Sequence, residues 1–99
     1  MVVRHEITET KGAFTAFEEE KKVGEMTYSA AGDDKIIIDH TEVHPEEKGK
    51  GIGRVLLERA VEYARDNQIK IIPLCPYAKS MFGRDVDIRD VLSTWPIEI

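Results

Sequence analysis

Apolar and polar side chains alternate through residues 2–7 (VVRHEI), 13–18 (AFTAFE) and 22–30 (KVGEMTYSA). Successive side chains of an extended chain point to opposite faces, so this period of two predicts strands with one buried face. The polar breaks TKG, EEEK and AGDD leave room only for short turns, which predicts an antiparallel meander. A fourth run, KIIIDHTEV at 35–43, holds three consecutive isoleucines. Such a run is expected where a strand is covered on both faces, so it is placed at the centre of the sheet. Strict alternation puts His40 on the face of Ile36 and Ile38. Pro45, which has no N–H to give to a ladder, closes the strand.

The period changes after a polar stretch at 46–50. From Ile52 the residues Val55, Leu56, Ala60, Tyr63 and Ala64 recur at helical spacing, while Arg54, Glu58, Arg65 and Asp66 take the solvent side. The helix is predicted to begin near Gly51 and to stop at DNQ, 66–68. IKIIPL at 69–74 is short, β-branched and apolar, so strand, helix and strand form a βαβ unit whose crossover makes its two strands parallel. CPYAKSMFGRD reads as a short helix with Pro76 in its first turn and Gly83 near its end. DIRDVL at 87–92 is a further candidate helix, and Trp95 and Ile97 in the tail suit docking onto the body or a partner. The expected fold is α+β: a mixed, mainly antiparallel sheet with a central parallel βαβ unit.

A chain of 99 residues, 41% of them hydrophobic, is enough for one compact domain spanning 1–99 and too short for two. Its net charge of −5 argues against nucleic acid, whose phosphates need a basic face. Lys48, Lys50 and Arg54 nonetheless cluster, as for a small anionic ligand or simply a solvated loop. A single cysteine, Cys75, excludes an internal disulfide framework and a multi-cysteine zinc site, and fits a reducing cytoplasm. No run approaches the length of a membrane span, and the first ten residues lack the apolar core of a signal peptide, so a soluble cytoplasmic protein is expected. His5 and His44 have no ligand-like partner spacing, and no metal is expected.

Three glycines at alternate positions open the long helix in EEKGKGIGRVLLERA, 46–60. Each costs roughly 1 kcal/mol relative to alanine inside a helix. Two explanations stand side by side. Glycine permits close approach of phosphate oxygens to the unpaired amides and positive dipole of a helix N-terminus. Alternatively, Gly49 and Gly51 make a turn and Gly53 allows tight helix packing. A Walker loop is absent, and the third glycine of a dinucleotide fingerprint would fall on Arg54 or Leu56.

The remaining pattern, KGKGIG between a strand and a helix, resembles the acetyl-CoA pyrophosphate loop of the GNAT N-acetyltransferases, [QR]-x-x-G-x-[GA]. Gly51 and Gly53 match, and Lys48 replaces the Gln or Arg. Residues 39–82 are similar to the short single-domain GNAT-like subgroup, with its strand-end His-Thr and a downstream Pro-x-Cys-x-Tyr. The resemblance implies acetyl-CoA as cofactor and an amine as acetyl acceptor. It implies that Lys48, Gly49, Lys50, Gly51, Ile52, Gly53 and Arg54 hold the pyrophosphate, chiefly through amides. Glu42 and Val43 would pair with pantetheine where two parallel strands splay apart. Two departures matter: ETKGA leaves only a turn where larger members insert two acceptor-binding helices, and the late strands are missing. A non-catalytic CoA or acyl-CoA binding module or regulatory partner of another protein is the alternative; a purely structural interaction domain is a third.

Acetyl transfer from a thioester to an amine needs a deprotonated nucleophile, oxyanion stabilisation and a proton for the departing sulfur. Cys75, just past the second parallel strand, is a candidate acetyl acceptor or acid, or else a buried structural cysteine. His40 is a candidate base or partner of Cys75, a pairing the resemblance supports, or else a core histidine. Tyr77 corresponds loosely to a tyrosine that protonates CoA sulfur in the wider family, and packing is the preferred reading. Glu42 acts as a base through water or is merely solvated.

Overall fold

The computed structural model describes residues 1–93; Trp95 and Ile97 lie outside them. Five strands, β1 (Val2–Ile7), β2 (Lys11–Glu18), β3 (Lys21–Ala30), β4 (Lys35–Val43) and β5 (Lys70–Pro73), form one sheet in the order β1-β2-β3-β4-β5. The first four are antiparallel neighbours, and β4 and β5 are parallel. Helix α1 (Ile52–Asn67) makes the crossover, and helix α2 (Pro76–Arg84) follows β5. The mixed α+β sheet is therefore the expected one, with two corrections. Residues 35–43 are not the central strand; β3 is, and the parallel pair lies toward one side. The strand's two faces are covered unequally: Ile36 and Ile38 are buried while Ile37 is only half-buried.

The one-sided burial has a simple cause. Both helices lie on the same side of the sheet, where α1 buries Ile52, Leu56, Leu57, Ala60, Val61 and Ala64 against the inner residues of the strands. Burying each such aliphatic side chain is worth roughly 1.5–3 kcal/mol. Helix α1 stops as expected: Gln68 adopts a left-handed conformation (φ 58°) and its N–H donates to the carbonyls of Ala64 and Arg65. The 87–92 segment is a 3₁₀ turn, Val86–Val91, rather than an α-helix. Arg65 and Lys70 reach across to its backbone and to Asp90, an arrangement that supplies partners for carbonyls which short 3₁₀ turns leave open.

Directly paired residues share a face, so the register defines rows across the sheet. His5, Phe14, Met26 and Thr41 form an inner row, and Glu6, Ala13, Thr27 and His40 an outer one. On the inner side, His5 stacks on Phe14 with ring centroids 4.1 Å apart, and its Nε2 hydrogen-bonds the Tyr28 hydroxyl at 2.6 Å. Burial lowers the pKa of His5, which favours a neutral ring. Burial is also the first cause of the upward shift of Tyr28, reinforced by Tyr63.

His40 requires a correction. Thr27 pairs with His40 but Tyr28 pairs with Ile38, so Asp39 is an extra residue, a β-bulge. The bulge resets the alternation. His40 lies on the outer face and is exposed, whereas Thr41 takes the inner position that simple alternation gave to the histidine.

Candidate functional site

The chain between β4 and α1 makes a single 3₁₀ turn at Pro45–Glu47 and then two left-handed glycines, Gly49 (φ 88°) and Gly51 (φ 77°). L side chains are disfavoured in this region by about 1–2 kcal/mol, which explains both glycines locally. Gly53 has a different reason. A Cβ there would come within 3.0 Å of the Tyr77 ring, so it is the contact point of α1 with α2. The turn-and-packing explanation thus holds for all three positions.

The same geometry leaves a cradle. A Cβ at Gly49 or Gly51 would meet nothing within 4 Å, so these positions border open space. Gly51 caps α1 without any side-chain hydrogen bond, and the first turn carries no acidic residue. Val55 is the first residue whose N–H reaches a helical acceptor, the carbonyl of Gly51, at 3.1 Å. The amides of Ile52, Gly53 and Arg54 therefore point from the positive helix end with no helical acceptor, an arrangement suited to an anion.

Beside this helix end the sheet opens. The parallel ladder ends at Ile38 and Pro73, and the N–H groups of Leu74 and Cys75 both donate to the Ile38 carbonyl, at 3.2 and 3.0 Å. Beyond that point β4 stays paired to β3 as far as Val43, while its other edge has no strand beside it among the described residues. The slot and the helix end belong to one cavity of about 970 Å³. From the strand come Thr41, Glu42 and Val43; from the loop and helix come Lys48, Gly49, Gly51, Ile52, Gly53 and Arg54. Lys50, expected in the same group, instead makes a 2.8 Å ion pair with Glu47. This contact lowers the Glu47 pKa and raises that of Lys50. Arg54 is anchored at the cavity by Asp85 (2.8 Å) and Glu58 (3.1 Å). Lys48 has no ion pair among the described residues.

Cys75 is buried at the end of the slot, and its sulfur lies 3.2 Å from the Thr41 hydroxyl. The sulfur is therefore paired with Thr41 and not with His40, which the bulge turns to the other face. Thr41 was not singled out from the sequence, because the extra residue in β4 leaves no mark in the hydrophobic pattern. Tyr77 does pack, on Gly53, but it also lines the cavity; burial is the first cause of its raised pKa, keeping the phenol protonated. Among the described residues no group of three or more His, Cys, Asp and Glu gathers as a metal site, and no helix is long and apolar enough to cross a membrane.

Comparison with known proteins accords with this geometry. The profile of the GCN5-related N-acetyl-transferase family matches residues 13–91. The solution structure of a GCN5-like protein from Staphylococcus aureus is 36% identical, covers 91% of this chain and 87% of its own, and superposes with a TM-score of 0.69. Two more distant structures share the fold. The ribosomal-protein-alanine N-acetyltransferase of Brucella melitensis biovar Abortus is 21% identical, with 87% of this chain and 64% of that one covered and a TM-score of 0.64. A streptothricin acetyltransferase from Bacillus anthracis, in complex with acetyl coenzyme A, is 15% identical, with 77% and 46% covered and a TM-score of 0.61. No curated protein matches the sequence. An uncapped glycine-rich helix end beside a splayed parallel pair, matched by a profile over most of the sequence, places this chain in the GCN5-related N-acetyl-transferase family.

Proposed function

We propose that this acetyl-CoA-dependent N-acetyltransferase holds its cofactor along one path, from the α1 helix end to the slot beside β4. The observation that carries this reading is the union of both features in one cavity. The amides of Gly51 to Arg54 would grip the diphosphate, with Lys48 and Arg54 adding charge. The free edge of β4 at Glu42 and Val43 would hydrogen-bond pantetheine as it would a strand. When bound, the thioester supplies the activated acetyl group.

His40 and Cys75 then act from opposite faces of the sheet rather than as a pair. The imidazole of His40 would take the proton that the acceptor amine loses on acetylation. The Cys75 thiol would supply the proton for the thiol product by way of the Thr41 hydroxyl that touches it. Tyr77 favours a second reading of the donor, because its phenol lines the cavity and burial retains its proton. A lone thiol in this role fits a reducing, cytoplasmic setting.

Labelled acetyl-CoA tests the reading, with thiol release and intact mass followed together. Turnover that falls in Cys75→Ala but not in Tyr77→Phe supports the thiol; the reverse result assigns the phenol. Tight CoA binding without turnover for any amine makes the chain a binding or regulatory module instead. Gly51→Val checks the cradle. Its side chain meets no neighbouring atom, although a β-branched residue is strained at φ 77°, so CoA affinity should fall at least tenfold in protein that circular dichroism shows to be folded. Unchanged affinity would refute the diphosphate site.

A further inference from the structure

The slot can be approached from two sides. The cofactor cavity reaches it through Thr41 and Tyr77, while a second cavity, on the outer face, ends at His40 and Pro76. These are adjacent residues in β4 and adjacent residues in α2, so the two cavities abut at the splay without sharing a lining residue. Among the described residues no helix packs on the β1–β2 side of the outer face, where residues 8–10 make only a turn.

The floor of this second cavity follows one cross-strand row, Glu6, Ala13, Thr27 and His40, each paired directly with the next. Small side chains occupy the middle, a carboxylate one end and an imidazole the slot end. Three strand spacings of roughly 4.8 Å put Glu6 about 14 Å from His40 between Cα atoms. Asp39 adds a second carboxylate at the slot end, fixed by a 2.7 Å hydrogen bond from Ser29. One cation, Lys11, also lines this cavity, in the neighbouring row opposite Ser29, whereas Arg4 is drawn over the Phe17 ring at 5.4 Å.

We propose that this outer row is the acceptor site, and that it takes an extended alkylammonium ligand with two cationic ends. One amine sits between Asp39 and His40 at the slot, and the second cation sits on Glu6. The proposal rests on the cofactor path described above only for the direction in which the reacting amine points. A linear polyamine meets the spacing, as does a basic peptide with lysines four residues apart, about 13 Å along an extended strand.

Chemical-shift mapping on the ¹⁵N-labelled full chain tests this without turnover. The probes are spermine, an extended peptide with lysines at that spacing, and butylamine as a single-cation control. Shifts are expected at the amides of Glu6, Ala13, Thr27, Asp39 and His40, with at least one two-cation probe binding tenfold or more tighter than butylamine. Glu6→Gln should remove that advantage, and Ala13→Trp should block the row; Glu6 is exposed, so the first variant has no reason to misfold. Whichever two-cation probe binds identifies the source of the ligand. Shifts elsewhere on the acidic surface, binding by neither two-cation probe, or an unchanged preference in Glu6→Gln overturns the proposal. A parallel CoA titration followed at residues 48–54 reports on the cofactor path alone, so the failure of one is separable from the failure of the other.

Discussion

The inner and outer faces of the sheet are built from alternate residues of the same strands, yet they meet different demands. Phe14, Met26, Tyr28, Ile36 and Ile38 on the inner face are all buried, and two helices seal them. The matching outer residues include Ala13, Thr27, Ser29 and His40, which no helix of the described residues covers. The inner face therefore carries the stability of the fold, and the outer face is free to vary with a ligand. Asp39 is the hinge between these demands: one extra residue lets β4 continue its inner row with Thr41 while presenting His40 on the other side.

The sharpest test of this division is a pair of truncations. Leu56→Ala removes a fully buried side chain that packs beneath the sheet, and a loss of about 2–5 kcal/mol in unfolding free energy is expected. Thr27→Ala on the outer row should cost less than about 1 kcal/mol, because a half-exposed position outside the core contributes little. Urea denaturation of both variants decides the matter. Comparable losses would mean that the outer face is structurally committed and that the division is wrong.

A second way to break the comparison is to overfill the inner face. Gly12 lies opposite Tyr28, and a Cβ there would fall 2.2 Å from the ring. Gly12→Ala must displace the Tyr28 ring and with it the 2.6 Å bond to His5, so a destabilisation of about 1–3 kcal/mol is expected. Thermal melts of the variant would show it directly. A wild-type melting temperature would mean that the aromatic cluster is loosely packed.

Much of this architecture was legible because it rests on periodicity. The strand runs, the helix from Ile52, its stop at Gln68 and the parallel return all follow from where apolar residues recur, and burial enforces those patterns. Short-range rules also placed Pro76 at the start of α2. What escaped was set by tertiary context. The three isoleucines of β4 suggested two covered faces, but β-branched residues also suit a strand with one, as half-buried Ile37 shows. The bulge at Asp39 arises from the pairing of β3 with β4 and leaves no sequence signal, so strict alternation puts His40 on the wrong face and passes over Thr41. At the glycine loop, packing and ligand approach predict the same residues. Only the positions of the missing Cβ atoms separate Gly53, which packs, from Gly49 and Gly51, which face open space.

The smallest expected effect lies at the far end of the inner row, where a half-buried titratable group joins the aromatic cluster. Burial lowers the pKa of His5, so the folded chain holds its proton less tightly than the unfolded chain, whose histidines titrate near 6.5. As pH falls below about 6.5 the unfolded state takes up the proton first, and stability declines until the folded-state pKa is passed. Asp90 acts in a separate window, because its hydrogen bond to Arg65 lowers its pKa and that contribution is lost only in the carboxylate range. His5→Phe keeps an aromatic ring against Phe14 but cannot titrate. Urea midpoints measured between about pH 5 and 7 should fall with acidity in the wild type, with a shallower slope in the variant. Parallel curves would show that His5 is solvated in the folded protein, and the inner face would then be less dry at its β1 end than its row of aromatic contacts implies.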